Sequence, residues 1–388
     1  MKNKNSRVIL PIERLTELWP KHLQGLKLGA VLHPASVDFE LKHSLDVLLS
    51  HSPKLFELTT LFGPQHGIRG ELQDNMLESD HGIEEKTRLP LWSLYSDRRE
   101  PTAEMLENLD ILLIDLQDVG SRYYTFIWTM WLCMRACSLE SKTVVICDRP
   151  NPIGNKVEGP TLELSHPSFV GLWKIPARHG KTIGELALQF KQECFPNLDL
   201  VILPMQNAQS SDYFEATGLP WVLPSPNMPT IDTAVVYPGM CLLEASNLSE
   251  GRGTTKPFEI FGAPWMESDK LCAHLNGLGL AGVVFREHHF LPTFHKYQSM
   301  AVAGWNDEIY DQFRGMVCHG AQIHVLSREE YDAFRVGIEI LKFAYHQYPQ
   351  YFRWRPAHVG YEYEFEKMGI DMLLGNGSTR LSEIEMKS

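Results

Sequence analysis

The sequence predicts an α/β protein built on a mostly parallel sheet, and three observations carry that prediction. From about residue 26 to 205, short runs rich in leucine and β-branched residues alternate with longer segments of helical spacing, the pattern of repeated β-α-β units. The chain of 388 residues is 44% hydrophobic and 22% charged, an ordinary globular composition with length for two domains. Three of the apolar runs lead straight into polar loops: LFGPQHGIRGE, DLQDVGSR and CDRPNP.

Taken in order, the predicted strands are LKLGAVL, LFELTTLFG, DILLIDLQ, TVVICD and LDLVILP. Between them DFELKHSLDVLLS, TAEMLENL, YYTFIWTMWLCMRACSL and TIGELALQFKQE read as helices, the last opened by a capping box of Thr182 and Glu185. Residues 204 to 265 are dense in proline and glycine and predict rigid loops. Helical and strand-like segments then resume with LCAHLNGLGLAGVVFREHHF, AQIHVL and EEYDAFRVGIEILKFAYHQYP. They predict a second, smaller α+β domain, with the boundary between about 235 and 265: domain one spans 1–245 and domain two 246–388. No internal repeat or low-complexity tract interrupts the chain.

A formal net charge of -12 argues against a nucleic-acid or anionic-membrane surface, which needs clustered positive charge. An anionic small substrate then requires local arginines. The seven cysteines include no CxxC pair and read as reduced core thiols. The N-terminal segment lacks the apolar core and cleavage site of a secretory leader, and FIWTMWLCM is cut short by Arg135, so no membrane insertion is expected. The expected location is the cytoplasm, or the periplasm or exterior if a leader precedes the chain. Oligomeric state is not legible.

Ligands of open parallel sheets bind beyond the carboxyl ends of the strands, where loops converge and helix N-termini point inward. The first such loop gathers His66, Arg69 and Glu71 among three glycines, offering a base, a cation and a carboxylic acid in one turn; its plainer alternative is a glycine-rich surface turn. The second carries Asp115, Gln117, Asp118, Arg122, Tyr123 and Tyr124. A buried Asp115 must be paired, either within a site or as a scaffold ion pair with Arg122 or Arg149. The third holds Asp148, Arg149 and Asn151, the last fixed between two prolines. Further along, Asn227, Asn247, Glu250 and Arg252 offer a polar sugar-binding wall, or else hydrogen bonds internal to the loop.

Other motifs are set aside. GRGTTK lacks the GxxxxGK[ST] spacing of a phosphate loop, and LKLGAVLHPAS lacks a dinucleotide fingerprint. The pair His288 and His289 lacks metal-ligand spacing with neighbouring Cys, Asp or Glu, and no HExxH occurs. Neither cofactor nor metal is predicted.

The stretches LFGPQHGIRGE, LPLWSLYSDRREPTAEML, IDLQDVGSRYYTFIWTM, DRPNPIGNKVEGP, HGKTIGELAL, TGLPWVLPSPNMPTIDTAVVYPG and LLEASNLSEGRGTTKPFEIFGAPW together resemble the NamZ-type exo-β-N-acetylmuramidases, long catalogued as a domain of unknown function. The resemblance runs in order from about residue 60 to 265, with FLPTFHKY and QYPQYFRW continuing it. It implies a Rossmann-like domain joined to a smaller C-terminal domain across a cleft. It also implies a hydrolase that removes the terminal β-linked N-acetylmuramic acid (MurNAc) from the non-reducing end of peptidoglycan fragments, in cell-wall turnover or recycling. Two departures from the family pattern are Gln65, where P-E-H-G is usual, and a first strand ending in HPAS.

Glycoside hydrolysis needs a protonated carboxylic acid and a second group acting as nucleophile or base. Glu71 is the expected acid or base and Asp118 the second carboxylate, with Asp115 in reserve and His66 orienting or replacing one of them. The lactyl carboxylate of muramic acid suits a planar guanidinium, for which Arg69, Arg122, Arg149 and Arg252 are candidates, with Tyr123, Asn151, Asn227, Asn247 and Glu250 as further substrate contacts. A muropeptide or sugar-binding protein without catalysis is the alternative, and Gln65 is its main argument. An esterase built on Ser121 or Ser225 has no GxSxG elbow to support it.

Overall fold

In a computed structural model, residues 7–70, 72, 77–294, 296–297, 305 and 308–385 are described. The strands among them are β1 (Lys27–Leu32), β2 (Glu57–Gly63), β3 (Gly82–Ile83), β4 (Pro90–Ser93), β5 (Ile111–Asp115), β6 (Thr143–Cys147), β7 (Glu158–Thr161), β8 (Pro176–Arg178), β9 (Leu200–Leu203), β10 (Ile260–Ala263), β11 (Val283–Phe290) and β12 (Cys318–Val325). The chain divides into two compact units. Residues up to Gly120, Tyr124–Lys156 and Gly180–Pro226 form the first, while Ser121–Tyr123, Val157–His179 and Asn227 onward form the second.

The first unit holds a seven-stranded sheet in the order β3-β4-β2-β1-β5-β6-β9. Its pairings are parallel except for β3 against β4, so the fold is α/β with a mixed, mostly parallel sheet. The five strands expected from apolar runs are contiguous, β2-β1-β5-β6-β9. The remaining two, β4 beside β2 and β3 at the edge beyond it, come from a segment that gave no strand signal, because two to four residues are too few to show alternation. Register sets Leu32 opposite Asp115 and Cys147 opposite Leu203, so the carboxyl ends of the central strands form one rim.

Helix Ser44–His51 starts later than its apolar pattern suggests, because the His43 side chain caps it by accepting from Leu45 N. Helix Phe126–Leu139 buries residues on every side, including Trp128, Met130, Cys133 and Met134, as a helix apolar all round must. Thr182 and Glu185 form the expected capping box of helix Ile183–Glu193.

The second unit carries the antiparallel sheet β10-β12-β11 and the short pair β7-β8. One part of the loop expected over 204–265 is instead a helix, Ile231–Met240, capped by Thr230 accepting from Thr233 N. Pro238 lies in its last turns, and Gly239 marks the place where its backbone comes closest to a neighbouring helix. A Cβ at Gly239 would stand 1.8 Å from the Ala333 carbonyl oxygen, so the lack of a side chain lets this helix press directly against helix Ala333–Gln347. No described helix is long and apolar enough to cross a membrane.

Candidate active site

Beyond the carboxyl ends of β1, β2, β5 and β6, polar residues from four loops are bound to one another within the first unit. The chain leaving β1 turns at His33, whose N–H donates to Ser36 Oγ at 2.9 Å. The His33 Nε2 accepts from Gln117 N at 2.9 Å, so the ring proton sits on Nδ1, 2.9 Å from Ser36 Oγ. Burial and then the Arg149 charge lower the His33 pKa to about 3, which keeps this imidazole neutral and its tautomer fixed.

Asp115 is fully buried. Arg149 grips it with two hydrogen bonds, Nε to Oδ1 at 2.5 Å and Nη2 to Oδ2 at 2.9 Å, and Ser44 Oγ donates to Oδ2. Burial pushes the carboxyl up, but the Arg149 guanidinium and the Ser44 hydroxyl outweigh it and leave the group below the ordinary aspartate value. Asp115 therefore holds the scaffold ion pair left open by the sequence, with Arg149 as partner. Arg149 also donates to Val37 O at 3.0 Å.

Gln117 Nε2 donates to Asp118 O and Pro150 O, at 2.8 and 2.9 Å, tying the second loop to the third. Asp118 Oδ2 accepts from Gly120 N at 2.7 Å. Gly120 has φ +83°, and a Cβ there would stand 2.4 Å from Asn151 Oδ1, so only glycine lets the loops approach. Asn151 in turn donates to Lys181 O and accepts from Ile153 N; its side chain fastens the loop. Asp148, at the end of β6, is pushed up to about 6, mainly by burial, against the opposing pull of the Gly184 amide.

In the loop after β2, His66 has φ +72°, a left-handed conformation uncommon for a non-glycine residue. Its Nδ1 lies 2.7 Å from Leu72 O, so Nδ1 carries the proton and Nε2 the lone pair. Gln65 is buried, donating to Tyr95 Oη at 3.0 Å and accepting from Thr125 Oγ1 at 2.6 Å. Arg69 is half exposed and donates to Glu84 Oε1 at 2.8 Å. Burial raises the Glu84 carboxyl, but the Thr87 amide and Arg69 hold it below its usual value overall. Glu71, the expected acid, lies outside the described residues.

The loops after β6 and β9 and the start of helix Ile183–Glu193 also enclose a pocket of about 220 Å³, lined by Asp148, Pro150, Asn151, Thr182, Glu185 and the segment 204–210.

The remaining candidates belong to the second unit, where each is described by itself. Arg122 is fully buried and donates to the carbonyls of Pro160, Ile175 and Leu373 at 2.6 to 3.0 Å; its guanidinium lies over the Tyr123 ring, 5.3 Å from the centroid. Burial raises the Tyr123 hydroxyl well above its ordinary value. Asn227 is buried. Asn247 donates to Tyr351 O and accepts from Arg353 N. Arg252 pairs with Glu244 at 2.8 Å and with Glu250 at 3.3 Å, and Lys296 pairs with Glu250 at 2.8 Å. Asn247, Glu250 and Arg252 are thus held in buried hydrogen bonds and ion pairs whose partners include Tyr351, Arg353 and Lys296 from outside their loop.

Sequence reasoning missed His33, Glu84, Tyr95 and Thr125. His33 alone carried a local signal, a histidine directly after a strand; the others reach the loops from 15 to 60 residues away.

Two family models cover nearly the whole chain: the N-terminal domain of the exo-β-N-acetylmuramidase NamZ matches residues 28–232 and its C-terminal domain matches 235–387. The peptidoglycan β-N-acetylmuramidase NamZ of Bacillus subtilis (strain 168) is 42% identical over 379 residues, covering 97% of this chain and 84% of the relative. Two crystal structures of DUF1343 family proteins from Bacteroides fragilis NCTC 9343 superpose on it. One has TM-score 0.80 and 31% identity over 97% of this chain and 91% of that one; the other has TM-score 0.69 and 27% identity over 99% and 92%. The chain belongs to the NamZ exo-β-N-acetylmuramidase family.

Proposed function

We propose that this protein is a glycosidase that releases terminal β-linked MurNAc from the non-reducing end of peptidoglycan fragments. Family membership supports the reaction class. The observation that carries the choice of sugar is the state of the four candidate arginines. Arg122, Arg149 and Arg252 are buried against internal partners, whereas Arg69 has half its side chain exposed and, among the described residues, one guanidinium nitrogen engaged, by Glu84. Arg69 thus keeps planar donors for a carboxylate, the group that distinguishes muramic acid among amino sugars.

On this reading Glu71 is the general acid and Asp118 the second carboxylate. The Gly120 amide fixes the orientation of the Asp118 carboxylate. His66, its proton held on Nδ1 by Leu72 O, lies in the same loop as Glu71 and orients that loop's chemistry. Asp115 supports the rim through Arg149 and does not touch the sugar. No step calls on a cofactor.

The seven cysteines are free thiols, which fits a reducing compartment and supports action in the cytoplasm on fragments recovered in cell-wall recycling. Incubation with a MurNAc–GlcNAc disaccharide, read by mass spectrometry, tests the function: free MurNAc and GlcNAc are expected, and an intact disaccharide after exhaustive incubation contradicts it.

A further inference from the structure

We propose that His289 and His319 form a two-imidazole site for a divalent copper ion on the antiparallel sheet of the second unit. The two residues lie directly opposite each other on β11 and β12. Such cross-strand pairs bring side chains to about 5 Å at Cβ. Their Nδ1 atoms are 2.8 Å apart, with ring centroids 4.8 Å apart and planes at 76°. His289 is exposed and His319 half-buried, so an ion reaches the pair from solvent. Neither ring has another hydrogen-bond partner among the described residues.

In the ion-free protein one Nδ1–H donates to the lone pair of the other Nδ1. When an ion enters, the donor ring takes its proton on Nε2 instead, and both Nδ1 lone pairs face the metal. No proton is released in the exchange. The 2.8 Å between the Nδ1 atoms is the length of the hydrogen bond that joins them in the ion-free protein. With metal–nitrogen bonds of about 2.0–2.1 Å, two cis ligands of a tetragonal centre stand about 2.9 Å apart and two ligands of a tetrahedral centre about 3.3 Å, so the rings need to turn toward a common ion but separate least for the tetragonal geometry that Cu(II) prefers among N and O ligands. Among the described residues no group of three or more His, Cys, Asp or Glu side chains is placed to hold a metal. A four-ligand structural zinc site therefore lacks its donors, whereas a tetragonal copper centre completes its shell with water. Glu287, exposed and two residues before His289, stands on the same face of β11 by strand alternation. His288 faces the other way and stacks on Phe290, which is why the adjacent pair His288 and His289 does not itself form a site.

The test is titration of the full chain with copper sulfate at pH 7.5, followed by electron paramagnetic resonance and calorimetry. One equivalent is expected to bind with a tetragonal spectrum showing coupling to two nitrogens. His289→Gln and His319→Gln should each weaken that equivalent by at least about tenfold, and His288→Gln should leave it unchanged. A wild-type spectrum without two-nitrogen coupling overturns the proposal, independently of any variant. So does an undiminished equivalent in the His289→Gln, His319→Gln double variant.

Discussion

Arg149 and Asp115 are joined by two hydrogen bonds in a pair that water does not reach, at the point where β5 and β6 release their loops. Ser36 Oγ also donates to the Asp115 carbonyl, so side chain and backbone of Asp115 are both held where the loop carrying Gln117 and Asp118 begins.

Removing one partner leaves the other charge buried and uncompensated, at a cost of about 3–5 kcal/mol. Asp115→Ala is therefore expected to lower unfolding stability by that amount in urea titrations. A loss below about 1 kcal/mol shows that the pair does not hold the rim.

The same rim makes the protein acid-labile. His33 has a folded pKa of about 3, below the unfolded value of about 6.5, so the unfolded state binds more protons between these values. Its contribution is fully present above pH 6.5 and is lost as pH falls toward 3, at up to about 1.4 kcal/mol per pH unit. Asp115, whose folded pKa is also depressed, adds a loss below the unfolded aspartate value of about 3.9. Stability measured from pH 7 to 4 should decline in wild type and flatten in His33→Gln. An unchanged slope in that variant refutes the assignment to His33.

Arg69→Ala should reduce kcat/KM for β-MurNAc substrates by about 10- to 100-fold, the worth of a charge-assisted hydrogen bond of about 1.5–3 kcal/mol. Turnover of the matching β-GlcNAc substrate, which lacks the lactyl carboxylate, should be little affected. An equal loss on both sugars removes Arg69 from carboxylate recognition.

Gln65→Glu tests whether the family's usual carboxylate is needed. Thr125 can still donate to the new side chain and the Tyr95 hydroxyl can turn to donate as well, so folding should be preserved. With catalysis placed on Glu71 and Asp118, kcat should change by less than about tenfold, and a gain beyond about 100-fold would move the chemistry to position 65.

The strands β1, β2, β5, β6 and β9 were legible because apolar, β-branched runs of strand length stand between turn residues, and the placement of Asp118 and His66 on strand-end loops was legible because polar residues follow those runs directly. The short strands β3 and β4 were not, being too short to carry a period. The arginines were the least legible. Arg69 and Arg122 are chemically identical in a sequence, yet one is half exposed and the other donates to three carbonyls drawn from positions 38 to 251 residues away. Only the folded chain separates them. The histidine pair is similar, since His289 and His319 meet through sheet register across 30 residues.

The most direct test of the central claim is turnover of a chromogenic β-MurNAc glycoside by wild type, Glu71→Gln and Asp118→Asn. Wild type should release the chromophore, and each variant should lose about 10²- to 10⁴-fold in kcat. Saturable binding of the glycoside by wild type with no release of chromophore would contradict it.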